Sequence, residues 1–144
     1  MNAENQTELN STESVLSELT AIKILVVEDD KINQFLSKKI LLKMGFTVEV
    51  AGNSDEAIHK LNSGDYQIVL MDLRLPGKDG IEITRMIRQM QGANARIPIF
   101  AITSSVAFTV RQEAEHAGIN EYFTKPINAD ELKEMILKYV SGQK

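Results

Sequence analysis

Five short apolar runs divide the chain, and a stretch of helical periodicity follows each of them. Ile22 to Val27 is the first run. After it, Ile32, Phe35, Leu36, Ile40 and Leu41 recur at helical spacing, up to a stop at Gly45. Phe46 to Ala51 alternates, which predicts a strand near the edge of a sheet. Asn53 or Ser54 then caps a helix that carries Ala57, Ile58 and Leu61 and closes near Gly64. Ile68 to Met71 is a continuous apolar run, the pattern of a strand buried on both faces. It ends at an acid, Asp72. Pro76, Gly77, Asp79 and Gly80 give turn signals before Ile81, Ile83, Met86, Ile87 and Met90 resume a helical pattern. Ile97 to Ile102 predicts a fourth strand, with Pro98 at its tolerant start. Val106 to Ala117 is a helix of mostly small apolar residues that buries little area. Glu121 to Phe123 is a short fifth strand, and Asn128 caps a last helix with Leu132, Met135, Ile136 and Tyr139 on one face.

This alternation predicts an α/β fold, a parallel sheet covered by helices on both sides. In such a sheet all strands end on the same rim, where ligands bind. Glu28, Asp29, Asp72, Thr103 and Lys125 each fall just after a strand end. One acid at one strand end is ordinary turn chemistry. Acids, a hydroxyl and a lysine at successive ends exceed what capping explains. Of the three acids Glu28, Asp29 and Asp30, one is accounted for as an N-cap. Three together call for a cation that offsets their repulsion. With no cysteine in the chain and no histidine expected on the rim, that cation is a hard, oxygen-seeking one, and Mg²⁺ fits. A carboxylate there can accept a phosphoryl group as an acyl phosphate. A lysine and a metal neutralise the charge that develops in the transfer. A threonine hydroxyl can donate to the product.

The motifs ILVVEDD (with Asn33 soon after), LMDLRLPGKDG, AITS and YFTKP occur in this order. On them, the chain from about Ile22 to Val140 resembles the receiver domain of two-component response regulators, including the chemotaxis regulators. The EDDKINQ stretch also resembles receivers of hybrid histidine kinases. The resemblance implies a flavodoxin-like (βα)5 fold, a doubly wound parallel sheet of strand order 2-1-3-4-5, an order already associated with this family. It implies Asp72 as phosphoacceptor, with Mg²⁺ held by Glu28, Asp29, Asp72 and the backbone carbonyl of Arg74. Thr103 and Lys125 are implied to bind the phosphoryl group, Thr103 and Tyr122 to form the switch, and the Lys125–Pro126 bond to be cis. Arg74 is larger and more basic than the residue often found there, and its guanidinium is expected to reach the phosphoryl oxygens or a nearby acid.

Net charge of −4 argues against a nucleic-acid surface, and no apolar stretch is long enough to span a membrane. Residues 1–20 are polar and read as a flexible N-terminal tail ahead of a receiver domain over 21–144, with Leu16 and Leu19 able to dock the tail on the domain. A missing signal peptide and the absence of cysteine suit a cytoplasmic protein. The resemblance implies a phosphorelay module that is not a turnover enzyme and has no output domain in this chain. Its partners are then a histidine kinase or histidine phosphotransfer protein, and a target or second copy at the surface of the fourth helix, fifth strand and last helix. It reads equally as a stand-alone regulator or as a receiver excised from a hybrid kinase. Two other classes compete: an adaptor that is never phosphorylated, and a Mg²⁺ phosphatase. The complete acid, Thr and Lys set opposes the first. Arg74, standing where a second catalytic acid belongs, opposes the other.

Overall fold

The computed structural model describes residues 18–73, 78–104 and 108–142, with the side chains of 78, 79 and 108 left aside. Its strands are β1 (Lys23–Val27), β2 (Thr47–Ala51), β3 (Ile68–Asp72), β4 (Ile99–Thr103) and β5 (Glu121–Thr124). The helices are α1 (Lys31–Lys43), α2 (Ser54–Ser63), α3 (Lys78–Arg88), α4 (Phe108–Ala117) and α5 (Ala129–Val140), with a 3₁₀ turn over Ala93–Arg96. All strand pairs are parallel and the order is β2-β1-β3-β4-β5. The chain therefore has the flavodoxin-like order, with the alternating strand β2 at an edge.

Successive strand residues point to opposite faces, so each strand feeds two cores. Leu25, Val27, Val69 and Met71 join Ala57, Leu61, Ile87 and Ala114 on the side covered by α2, α3 and α4. Ile24, Val26, Ile68 and Leu70 join Leu41, Phe100, Leu132 and Ile136 on the side covered by α1 and α5. The second core carries an aromatic knot, in which Phe100 lies 5.8 Å from Phe123 and 5.1 Å from Tyr139 between ring centroids.

Helix starts follow their caps. Asp30 accepts from the Asn33 N–H at 2.9 Å, Asn53 from Glu56, and Asn128 from Glu131. At α2 the Glu56 carboxylate reaches back to the Gly52 N–H at 2.8 Å, a reciprocal arrangement close to a capping box. Helix α1 departs from the simple reading of its periodicity. Of the five apolar residues that mark it, only Leu41 is buried and Ile40 is partly so. Ile32, Phe35 and Leu36 face outward at 72%, 64% and 49% exposure. Within the stretch read as tail, Leu19 packs on the second core, and the Thr20 carbonyl accepts from the Thr47 hydroxyl at 2.6 Å.

The rim opposite the acids is closed by Arg88. Its guanidinium donates to the carbonyls of Gly118, Ala95 and Ile97 and to the Asn120 side chain, at 2.7–3.1 Å. It thereby ties the end of α3 to the entries of β4 and β5. Gly118 has φ of +109°, and a Cβ there would stand 2.7 Å from Arg88 Nε, so the turn admits only glycine. A lysine has three donors on a flexible stem and cannot span these acceptors. Arg88→Lys is expected to cost about 1–3 kcal/mol of stability, read by chemical denaturation.

On the edge of the sheet, Glu49 lies between Lys23 at 2.7 Å and Lys60 at 3.0 Å. These lysines, Lys23 first, lower its carboxyl from 4.5 to about 2. A folded-state value below the unfolded one gives stability that is complete above about pH 4.5 and fades as the pH falls toward 2. The group is 37% exposed, so solvent screening holds the effect to within about 1 kcal/mol. Glu49→Gln is expected to lose that increment at neutral pH and to converge with the parent protein near pH 2 in acid-unfolding curves.

Candidate functional site

The carboxyl ends of the five strands meet on one rim. Val27 on β1 pairs with Met71 on β3, so the next residues, Glu28 and Asp72, come side by side. Glu28 is buried at 4% exposure, and its N–H donates to the Ala51 carbonyl at 3.0 Å. A hydrogen bond joins the Glu28 and Asp72 side chains. Two carboxyl groups can share such a bond only when one carries the proton. Burial first, and the adjacent Asp72 carboxylate second, push Glu28 from 4.5 up to about 7. Asp29 is exposed at the mouth. Asp30 is spent on capping α1, the one acid of the triplet that helix geometry explains.

Lys125 comes from beyond β5. Its N–H donates to the Thr103 carbonyl at 2.8 Å, and its Nζ lies 3.3 Å from Asp72 Oδ1. The Lys125–Pro126 peptide is cis. Thr103, at the end of β4, is buried at 1% exposure, and its hydroxyl donates to the Leu73 carbonyl at 2.7 Å. Tyr122 is half-buried, and a hydrogen bond links its side chain to that of Thr103. Arg111 of α4 stacks over the Tyr122 ring at 5.3 Å from the centroid. Burial pushes the Tyr122 hydroxyl up, with Arg111 and Thr103 opposing. Arg74 lies outside the described residues, so neither its carbonyl nor its guanidinium is placed.

A cleft of about 320 Å³ opens from Asp72 between the β2–α2 turn and α3, lined by Asp29, Asn53, Glu82, Ile83 and Met86 among others. Several supports of this rim escaped the reading of the sequence. The Gln34 amide donates to the Glu28 carbonyl and pins the β1–α1 turn. Gly80 lets α3 lie against the Asp72 backbone; a Cβ there would meet the Asp72 carbonyl at 2.7 Å and Leu73 at 2.5 Å. Its position after Asp79 signalled a turn, and only the packing shows a close approach. The buried Thr84 hydroxyl returns to the Gly80 carbonyl at 2.8 Å.

The donor set suits a hard divalent cation. It consists of carboxylate oxygens, and the Glu28–Asp72 repulsion that pushes the Glu28 carboxyl up is what a cation would relieve. Among the described residues, no three acids close into a ready-made cage. Mg²⁺ is commonly held by one or two carboxylates with water filling the other positions, so the open arrangement fits it.

The comparisons agree with this geometry. Residues 24–137 match the response regulator receiver domain family. Histidine kinase 5 of Arabidopsis thaliana is 30% identical over 158 residues, covering 92% of this chain and 17% of that protein. The aerobic respiration control sensor protein ArcB of Escherichia coli is 31% identical over 125 residues, covering 87% of this chain and 16% of its own length. The chain thus spans less than a fifth of either relative. Among solved structures, the receiver domain of a sensor histidine kinase from Pseudomonas aeruginosa superposes with a TM-score of 0.74 at 32% identity, over 83% of this chain and 98% of that one. That structure has a magnesium ion coordinated in its active-site cleft. A CheY-like receiver from Methanospirillum hungatei gives a TM-score of 0.72 at 25% identity, over 85% and 95% of the two chains. Fold, rim and matches converge: the chain belongs to the response regulator receiver domain family, the signalling phosphoacceptor modules of two-component and phosphorelay systems.

Proposed function

We propose that this receiver domain takes a phosphoryl group onto Asp72 from a histidine kinase or histidine phosphotransfer protein and signals by remodelling the α4-β5-α5 surface. The observation that carries the reading is the meeting of Asp72 with Lys125 on one side and Glu28 on the other. An Asp72 carboxylate oxygen forms the new bond to phosphorus as the bond to the donor nitrogen breaks, leaving an acyl phosphate and a neutral imidazole. Glu28, Asp29, Asp72 and the carbonyl of Arg74 would hold Mg²⁺, which supplies charge neutralisation at the transferred oxygens. Lys125, 3.3 Å from the acceptor, offsets the remaining negative charge. Gly80 and Gln34 are positioning residues for this rim.

The same reading gives the switch. To meet the new phosphoryl group, the Thr103 hydroxyl leaves the Leu73 carbonyl. Tyr122 is already hydrogen-bonded to Thr103, so the movement passes to it directly, without first vacating space beneath α4. Arg111 on the Tyr122 ring then carries the change to α4. The domain over 21–144, a cytoplasmic location and a target or second copy at the α4-β5-α5 surface belong to this proposal. So does the reading as a phosphoacceptor that does not turn over substrate.

Intact mass under non-acidic conditions tests the acceptor. With Mg²⁺ and acetyl phosphate or phosphoramidate, the protein is expected to gain one phosphoryl group and Asp72→Asn none. Lys125→Ala is expected to slow the gain by about 10²-fold. Beryllofluoride separates rapid hydrolysis from a dead site, since a hydrolysing site still forms the stable adduct. Failure with both reagents would favour the adaptor reading.

The switch has its own readout. Phosphorylation is expected to shift amide resonances at Tyr122 and along α4 and α5. In phosphorylated Thr103→Val, a change that removes the hydroxyl, those shifts are expected to disappear. Shifts that persist in the variant would overturn the Thr103–Tyr122 route.

A further inference from the structure

Helix α1 carries an exposed apolar stripe that neither core uses: Ile32, Phe35, Leu36 and Leu42, at 49–72% exposure. Phe35 and Leu42 floor an open groove of about 570 Å³ whose other walls are Lys38, Lys39 and Lys43. Lys31 begins the helix, and no acid occurs between Lys31 and Lys43. The patch is therefore apolar at its centre and positive around it. Large exposed apolar surface of this kind marks a binding site.

A second copy is a poor occupant. A two-fold contact would set Lys38, Lys39 and Lys43 of one copy against the same lysines of the other. The chain itself holds a better one. Residues 1–17 contain Glu4, Glu8 and Glu13, no basic side chain, and the apolar residues Leu9, Val15 and Leu16. This segment leads into residues 18–20, a helical turn fixed at the carboxyl end of α1. Leu19 packs there so closely that a Cβ on Gly45 would meet its Cδ1 at 3.2 Å. The described chain thus begins near Gly45, two residues past the end of α1 and of the groove that Lys43 borders.

We propose that the N-terminal segment is the cis occupant of this face, with Val15 and Leu16 at Leu42, Leu9 at Phe35 and Glu13 among Lys38, Lys39 and Lys43. Length permits it. From Gly45 back to Ile32 is about 20 Å at the helical rise, and a segment with the same rise covers it in about thirteen residues, fewer than residues 1–17 supply. Counted back from the Leu19–Gly45 contact residue for residue, Leu16 falls beside Leu42, Glu13 beside Lys39 and Leu9 beside Phe35. Helix α1 starts at the acidic rim, where Asp30 caps it, so a segment in this position also flanks the entrance to Asp72. The inference stands on charge, exposure and chain path, independently of whether Asp72 accepts phosphate.

The chain has no cysteine, so Asn10→Cys gives a single nitroxide site on the full-length protein. Relaxation broadening is expected to erase the amide signals of Ile32 and Phe35. Adding Val15→Asp and Leu16→Asp is expected to restore them, and so is Glu13→Lys. Lys39→Glu combined with Glu13→Lys is expected to bring the broadening back. Mixing labelled, isotope-free protein with unlabelled ¹⁵N protein tests the cis assignment. Broadening in that mixture would show that a second copy donates the segment and would overturn the cis claim. Signals at Ile32 and Phe35 untouched by the label, or touched equally in the Val15→Asp, Leu16→Asp variant, would overturn the docking itself.

Discussion

Glu28 and Asp72 are pressed together because parallel register leaves them no alternative. β1 and β3 are central neighbours, and the pairing of Val27 with Met71 brings the next two side chains to the same level of the same rim. Both are held away from bulk water, so the repulsion is not screened. The fold relieves it in two ways. Glu28 keeps a proton well above the usual carboxylate range, and Lys125 approaches Asp72 from β5. Neither is a permanent solution. A proton is exchangeable, and Lys125, about a third exposed, is free enough to follow a charge that moves. Under the proposed function, a cation and a phosphoryl group arriving together would complete the charge balance that the proton and Lys125 only partly supply.

Much of this was legible in the residues. Strand positions, their parallel direction and the placing of five polar residues on one rim follow from apolar runs with polar ends, whereas the strand order came only from the family resemblance. The edge strand β2 announced itself by alternation. Other features depended on which side of an element meets another, and linear pattern is silent there. The spacing of Ile32, Phe35 and Leu36 marks a helix correctly, yet those residues face outward while Leu41 faces the sheet. A periodicity gives a stripe; it does not say whether core or solvent receives it. Arg88 gave no signal in the linear pattern, because its partners are backbone carbonyls up to 30 residues away and the Asn120 side chain. Gly80 read as a turn, whereas its role is to let α3 approach Asp72.

The two cores differ in what they permit. On the α1 and α5 side, Phe100 is gripped by Phe123 and Tyr139, and the Tyr139 hydroxyl donates to Glu121 at 2.8 Å. Burial first and Glu121 second push that hydroxyl up to about 12, so it remains a donor throughout the physiological range. Helix α5 adds Leu132 and Ile136, both fully buried. On the opposite side, the described side chains that anchor α4 are Ala114, Ala117 and the half-buried Val110, which have little area to lose on moving. Tyr122 lies under this weakly held helix and is tied to Thr103. In the proposed switch, a displacement begun at Thr103 would meet less resistance toward α4 than toward the aromatic knot. The asymmetry lies in side-chain size: the small apolar residues of α4 suit it to be the moving element of the proposed switch, and the aromatic side suits the part of the fixed frame.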